Sequence, residues 1–127
     1  MPSVQVLLVE DDLRVREVLA AYLEVDGYTV ALASDGQEGY DLAMAEPPAL
    51  IVTDIMMPRM DGVTMVRRLR QTPQHRATPV LLISGHSDPP VDPELRTGPL
   101  LYIAKPVTLG GFLGALRKLL RTAEEPG

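Results

Sequence analysis

Five short apolar runs divide the chain, at Val4–Val9, Thr29–Ala33, Ala49–Asp54, Pro79–Ser84 and Leu100–Ala104. Each is too short to be a buried helix, and the continuous ones carry the signature of strands covered on both faces. Between them the apolar period changes from two to 3.6. Val15, Val18, Leu19, Tyr22 and Leu23 follow the i, i+3, i+4, i+7, i+8 spacing of a one-faced helix, and Gly27 just beyond them is a helix stop. Gly36–Ala45 predicts a second helix, closed by Pro47-Pro48. Val63–Arg70 predicts a third, with Val63, Val66 and Leu69 inward. A last helix places Leu109, Phe112, Leu113, Leu116 and Leu120 on one face, with Thr108 as its N-cap. Asp12 is in place to cap the first helix, and Asp61 before Gly62 reads as a turn and cap residue.

One stretch breaks the alternation. Pro89, Pro90, Pro93 and Pro99 fall within residues 88–99, and proline inside a helix costs about 3 kcal/mol. The fourth helix is therefore expected to be short or irregular, starting near Pro93 with Asp92 as cap. The pattern as a whole is (βα)5, an α/β fold with a doubly wound parallel five-stranded sheet and helices on both faces. The folded unit is expected to span residues 1–121, with 122–127 a polar tail.

Composition narrows the function classes. A chain of 127 residues, 46% hydrophobic, is long enough for one domain with its own core. The net charge of −5 argues against a nucleic-acid-binding face. The absence of cysteine removes disulfides, thiolate metal sites and cysteine nucleophiles. No apolar run approaches the roughly 18 residues of a membrane span, and the first residues lack signal-peptide character. A cytoplasmic protein that binds neither membrane nor nucleic acid is expected.

The chemistry gathers at the strand ends. Asp54 closes the third run and Glu10-Asp11-Asp12 closes the first. Ser84 closes the fourth, and Lys105 follows the fifth. In open α/β sheets that carboxyl edge is where ligands bind. Two carboxylates 4 Å apart repel by about 4 kcal/mol at an effective dielectric of 20, so a cluster of acids needs a cation. Mg2+ with oxygen ligands, or the Lys105 ammonium, would answer it. Lys105 is one of only two lysines, against ten arginines, and a compact point charge suits such a place better than a guanidinium fork.

In these residues the chain resembles the receiver domain of response regulators in two-component signalling, the CheY-like superfamily with a flavodoxin-like fold. The resemblance rests on Glu10-Asp11, on Asp54 followed by Met56-Met57-Pro58 and Asp61-Gly62, on Ser84-Gly85, on Tyr102, and on Lys105-Pro106. It implies strand order 2-1-3-4-5. It implies that Asp54 accepts a phosphoryl group from a sensor histidine kinase or phosphotransfer protein. It implies that Asp11, Asp54 and the Met56 backbone carbonyl hold Mg2+, with Mn2+ as a substitute, and that Glu10 acts through water. Lys105 would pair with the phosphoryl oxygens, Ser84 would move to meet them, and Tyr102 would turn inward as the switch. Such a module catalyses only its own phosphorylation and dephosphorylation, and it acts on a downstream protein target. A homodimer is left open.

Other readings stand beside these. Tyr102 could be an ordinary core aromatic, and His75 reads as a solvated loop residue. Met56 and His86 occupy positions that border the phosphoryl group in the family, and they are expected to alter its lifetime. A receiver-like domain that signals without phosphorylation is the main alternative. A phosphatase would need an acid/base aspartate where Met56 stands. A flavin carrier would need more aromatic side chains than one Phe and no Trp.

Overall fold

The structure, a computed structural model, describes residues 5–85 and 92–124. Its strands are β1 (Gln5–Val9), β2 (Thr29–Ala33), β3 (Leu50–Asp54), β4 (Val80–Ser84) and β5 (Leu100–Ala104). Its helices are α1 (Leu13–Val25), α2 (Gly36–Ala45), α3 (Gly62–Arg70) and α4 (Leu109–Glu124). All strand pairs are parallel, in the order β2-β1-β3-β4-β5. This is the order that the resemblance implies.

Successive strand residues point to opposite faces, so the sheet divides the core in two. Val6, Leu8, Val52, Leu81 and Ile83 pack against α1 and α4. Leu7, Val9, Ile51, Val80 and Leu82 pack against α2 and α3. Every residue of β3 and β4 is buried, which explains their unbroken apolar runs. Phe112 of α4 has no exposed surface, a burial that contributes about 2 kcal/mol.

Local signals start and stop the helices. Asp12 accepts hydrogen bonds from the backbone N–H groups of Arg14 and Val15, at 2.9 and 3.2 Å. Gly27 ends α1 at φ +91°, a conformation that a side chain would strain. Asp61 caps α3 through Thr64 N–H at 2.7 Å, and Thr108 Oγ1 accepts from Gly111 N–H at 3.0 Å.

Several sequence expectations change. Val18 is 47% exposed and lines an open groove with Val15, Leu19 and Lys105 rather than entering the core. Leu109 is likewise exposed, while Leu119 and Met65 are buried in positions that the simple stripe omits. The last helix runs to Glu124. His75 is not a solvated loop residue. Its ring is buried, with Nδ1 2.9 Å from Thr78 Oγ1 and Nε2 2.8 Å from the Ala43 carbonyl. A polar neighbourhood in sequence gave no sign of these two partners, one of which lies 32 residues away.

The proline-rich stretch forms no α-helix among its described residues. Pro93–Thr97 is a 3-10 turn capped by Asp92, whose Oδ1 accepts from Glu94 N–H at 3.0 Å. Residues 86–91, including the expected modulator His86, lie outside the described residues. Leu95 plugs the 3-10 turn into the core. The last turns of α3 hold it from the other side. Arg67 binds Asp92 at 2.7 Å, and Gln71 binds Glu94 at 2.9 Å. Arg70, only 4% exposed, donates to the carbonyls of Leu95, His75, Thr78 and Pro99 at 3.0, 3.0, 2.5 and 2.9 Å. Burial pulls its guanidinium down to about 10, so it stays charged at neutral pH. One planar fork thus binds carbonyls of two stretches, 75–78 and 95–99, that lie outside the α-helices.

Replacing Arg70 by Met keeps much of the volume and removes every donor. We expect a loss of about 3 kcal/mol or more in urea unfolding, since buried carbonyls lose charge-assisted partners. Arg70→Lys should recover little of it, because a single ammonium cannot span those acceptors.

Candidate functional site

The register sets the site. Val9 of β1 lies beside Thr53 of β3, so Glu10 and Asp54 leave the same sheet edge as neighbours. Asp54 pairs with Ile83 of β4, and Ser84 pairs with Ala104 of β5, just before Lys105. Glu10, Asp11 and Asp54 each offer a carboxylate oxygen within 4.8 Å of the others. Lys105 Nζ donates to Asp54 Oδ2 at 2.9 Å and stands 3.5 Å from Glu10 Oε1. The sequence predicted this gathering, and the structure brings these four residues together.

Each side chain has a distinct environment. Asp54 is 7% exposed, and its Oδ1 accepts from Ile55 N–H at 2.8 Å, so both oxygens are oriented. Asp11 is exposed and gives the cluster its opening to solvent. Glu10 is 1% exposed. Its Oε2 accepts from Asp12 N–H at 3.1 Å, while its Oε1 has no hydrogen-bond partner. The Lys105 ammonium faces that oxygen at ion-pair distance without the alignment of a hydrogen bond. Burial pushes the Glu10 carboxyl up to about 7, opposed by the Asp12 N–H and reinforced by the Asp54 charge. Burial alone would lower Lys105, but Asp54 and then Glu10 outweigh it and raise it above its ordinary value.

A buried carboxylate oxygen without a donor is costly. Three carboxylates facing one ammonium leave an excess of negative charge. This donor set is all oxygen and suits a hard divalent cation such as Mg2+. Met56 itself is 62% exposed, on the loop that leaves Asp54.

Ser84 is fully buried at the end of β4, and its carbonyl accepts from Lys105 N–H at 2.8 Å. Tyr102 is half-buried on β5, opposite Leu82, against the α2–α3 side of the core. Ser84 thus ends β4, and Tyr102 lies on β5, the neighbouring strand that Lys105 follows.

The sequence reading passed over three residues around the site. Arg16 donates to the Glu10 carbonyl at 2.8 Å, bracing the acidic turn from inside α1. Asp35 caps α2, with Oδ1 accepting from Glu38 N–H at 2.8 Å. Its Oδ2 accepts from Arg59 Nε at 3.0 Å. The Glu38 N–H and then the Arg59 fork hold Asp35 below its ordinary value. An Asp before Gly36 at the start of a helical period is a cap signal, so Asp35 was legible. Nothing in the sequence pointed from Arg59 back to it.

Among the described residues no helix is long and apolar enough to cross a membrane. The family model for the response regulator receiver domain matches residues 6–117. Response regulator MprA of Mycolicibacterium vanbaalenii is 39% identical over 119 residues, 93% of this chain and 51% of that protein. Transcriptional regulatory protein SrrA of Staphylococcus aureus is 33% identical over 123 residues, 96% of this chain and 50% of that protein. The chain thus spans about half the length of the curated relatives it matches. Chemotaxis response regulator CheY4 of Vibrio cholerae superposes with a TM-score of 0.83 at 27% identity, covering 93% of this chain and 99% of its own. With the sheet order and the acidic edge already in place, these matches decide the family: the chain belongs to the response regulator receiver domains of two-component systems.

Proposed function

We propose that Asp54 accepts a phosphoryl group from a phosphohistidine on a sensor histidine kinase or phosphotransfer protein. The observation that carries this reading is the Lys105–Asp54 contact of 2.9 Å inside a cluster with Glu10 and Asp11. An Asp54 oxygen attacks phosphorus, a P–O bond forms, and the P–N bond of the phosphohistidine breaks. The electron pair stays on the departing imidazole, which takes a proton. Lys105 neutralises charge on the phosphoryl oxygens, and Ile55 N–H keeps the carboxylate aimed. Asp11, Asp54 and the Met56 carbonyl would hold Mg2+, or Mn2+ in its place, with Glu10 acting through water. When bound, the cation offsets charge that builds on the phosphoryl oxygens. Hydrolysis reverses the modification: water attacks phosphorus and inorganic phosphate leaves Asp54.

The product carries more negative charge and more acceptor oxygens than the carboxylate it replaces. Ser84 is the hydroxyl at the next strand end, and Tyr102 lies one strand further on. Ser84 moves to meet the phosphoryl oxygens and Tyr102 turns inward, so the β4 and β5 edges change for a downstream protein target.

Incubation with Mg2+ and acetyl phosphate, followed by intact mass measurement, tests the central step. The wild type should gain one phosphoryl mass and Asp54→Ala none; an unmodified wild type, or a modified Asp54→Ala, overturns the assignment. Glu10→Gln removes a buried charge held close to Asp54. Its melting temperature without metal should rise, and its Mg2+ affinity should fall several-fold, as monitored by amide shifts in a titration. Met56 and His86 are proposed to alter access of the hydrolytic water. The phosphoryl half-life should therefore change at least twofold in Met56→Asn, followed by loss of the mass adduct; an equal half-life removes Met56 from that role.

A further inference from the structure

We propose that Asp35 and Arg59 act as positioning residues, fixing the loop of residues 55–61 so that it presents its oxygen ligand to a divalent cation. This deepens the metal-dependent reading given above and rests on it.

The two ends of the loop are already tied. Ile55 N–H reaches Asp54 Oδ1 at 2.8 Å, and Gly62 N–H reaches the Ile55 carbonyl at 2.8 Å. The tip is tied elsewhere, to the corner between β2 and α2. Arg59 Nε and a terminal nitrogen both bind Asp35 Oδ2, at 3.0 and 2.6 Å, across 24 residues of sequence. Gly36 N–H donates to the Met60 carbonyl at 3.0 Å, and a Cβ on Gly36 would collide with that carbonyl. The loop therefore lies directly on the first turn of α2.

Arg59 holds φ at +64°, in the left-handed region. A residue with a Cβ stays there only where its surroundings hold it. Its side chain is mostly exposed, at 64%, so solvent screens the ion pair and its effect on overall stability is small. Asp35, by contrast, is 7% exposed and divides its two oxygens between two tasks. One oxygen caps α2 and the other anchors the loop. This division makes the pair a geometric device: it locates one backbone segment against another. Met56, whose carbonyl the metal reading uses, lies three residues before Arg59 in that segment.

Charge makes the idea separable from a simple field effect. Asp35→Asn keeps a cap on α2, since Asn caps about as well as Asp, but removes a negative charge. Arg59→Gly removes a positive charge and relieves the left-handed backbone. If only the local field mattered, the first change would weaken cation binding and the second would strengthen it. A positioning role predicts that both weaken it.

The test is a Mn2+ titration of each protein, reading free Mn2+ by electron paramagnetic resonance, with melting curves in EDTA alongside. We expect Mn2+ affinity to fall at least threefold in both variants, with melting temperatures near that of the wild type. Amide shift changes should centre on residues 55–61. Opposite changes in the two variants, or an unchanged affinity in either, overturn the positioning role. A wild type that binds no Mn2+ overturns the metal reading itself, and this inference with it.

Discussion

The Lys105 ammonium, 2.9 Å from Asp54 and 3.5 Å from Glu10, is the contact that lets three carboxylates share one sheet edge. Each close pair of like charges at such a site is worth several kcal/mol of repulsion. One lysine offsets part of it. Glu10 remains a buried acid with an unpartnered oxygen, its carboxyl raised to about 7 first by burial and further by the Asp54 charge. A protein selected only for stability would not place a carboxylate there. In the function proposed above, the same unbalanced negative charge would recruit a cation, and the cation with Lys105 would meet a phosphoryl group, which offsets this local cost.

The scaffold around this cluster is closely packed and hydrogen-bonded. Both central strands that bear on it are buried along their length. Asp54 is oriented by Ile55 N–H and Lys105, and the acidic turn after β1 is braced by Arg16. The site is thus assembled from strand ends whose relative heights the parallel register fixes. That is why Asp54 and Lys105, 51 positions apart in sequence, meet at 2.9 Å, and Glu10 and Asp54, 44 apart, bring carboxylate oxygens within 4.8 Å.

The opposite solution operates across the 92–97 segment. Prolines rule out a regular helix, so its carbonyls lack helical partners. The Arg70 fork supplies donors from α3, and Arg67 and Gln71 add polar ties at the surface. The region that precedes β5, and hence Tyr102, is thereby referenced to α3 rather than standing on its own helical packing. Any rearrangement of β5 after phosphorylation has to work against this clamp.

Periodicity alone determined the strands, the helices and their alternation, because a buried parallel strand and an amphipathic helix leave different spacings of apolar residues. It also placed Asp54, Glu10, Asp11, Ser84 and Lys105 at one edge, since each stands where an apolar run stops. The caps at Asp12, Asp61 and Thr108 were legible for the same local reason. What sequence could not show is a distant partner away from the strand ends. His75 looked solvated until its ring met Ala43 and Thr78. Val18 fitted the helical stripe yet faces a groove, because the stripe is wider than the surface that α1 covers. Arg70 was one arginine among ten, and Arg59 sat in a loop with no period. Their roles depend on which carbonyls and carboxylates the folded backbone brings within about 3 Å, and tertiary structure alone decides that.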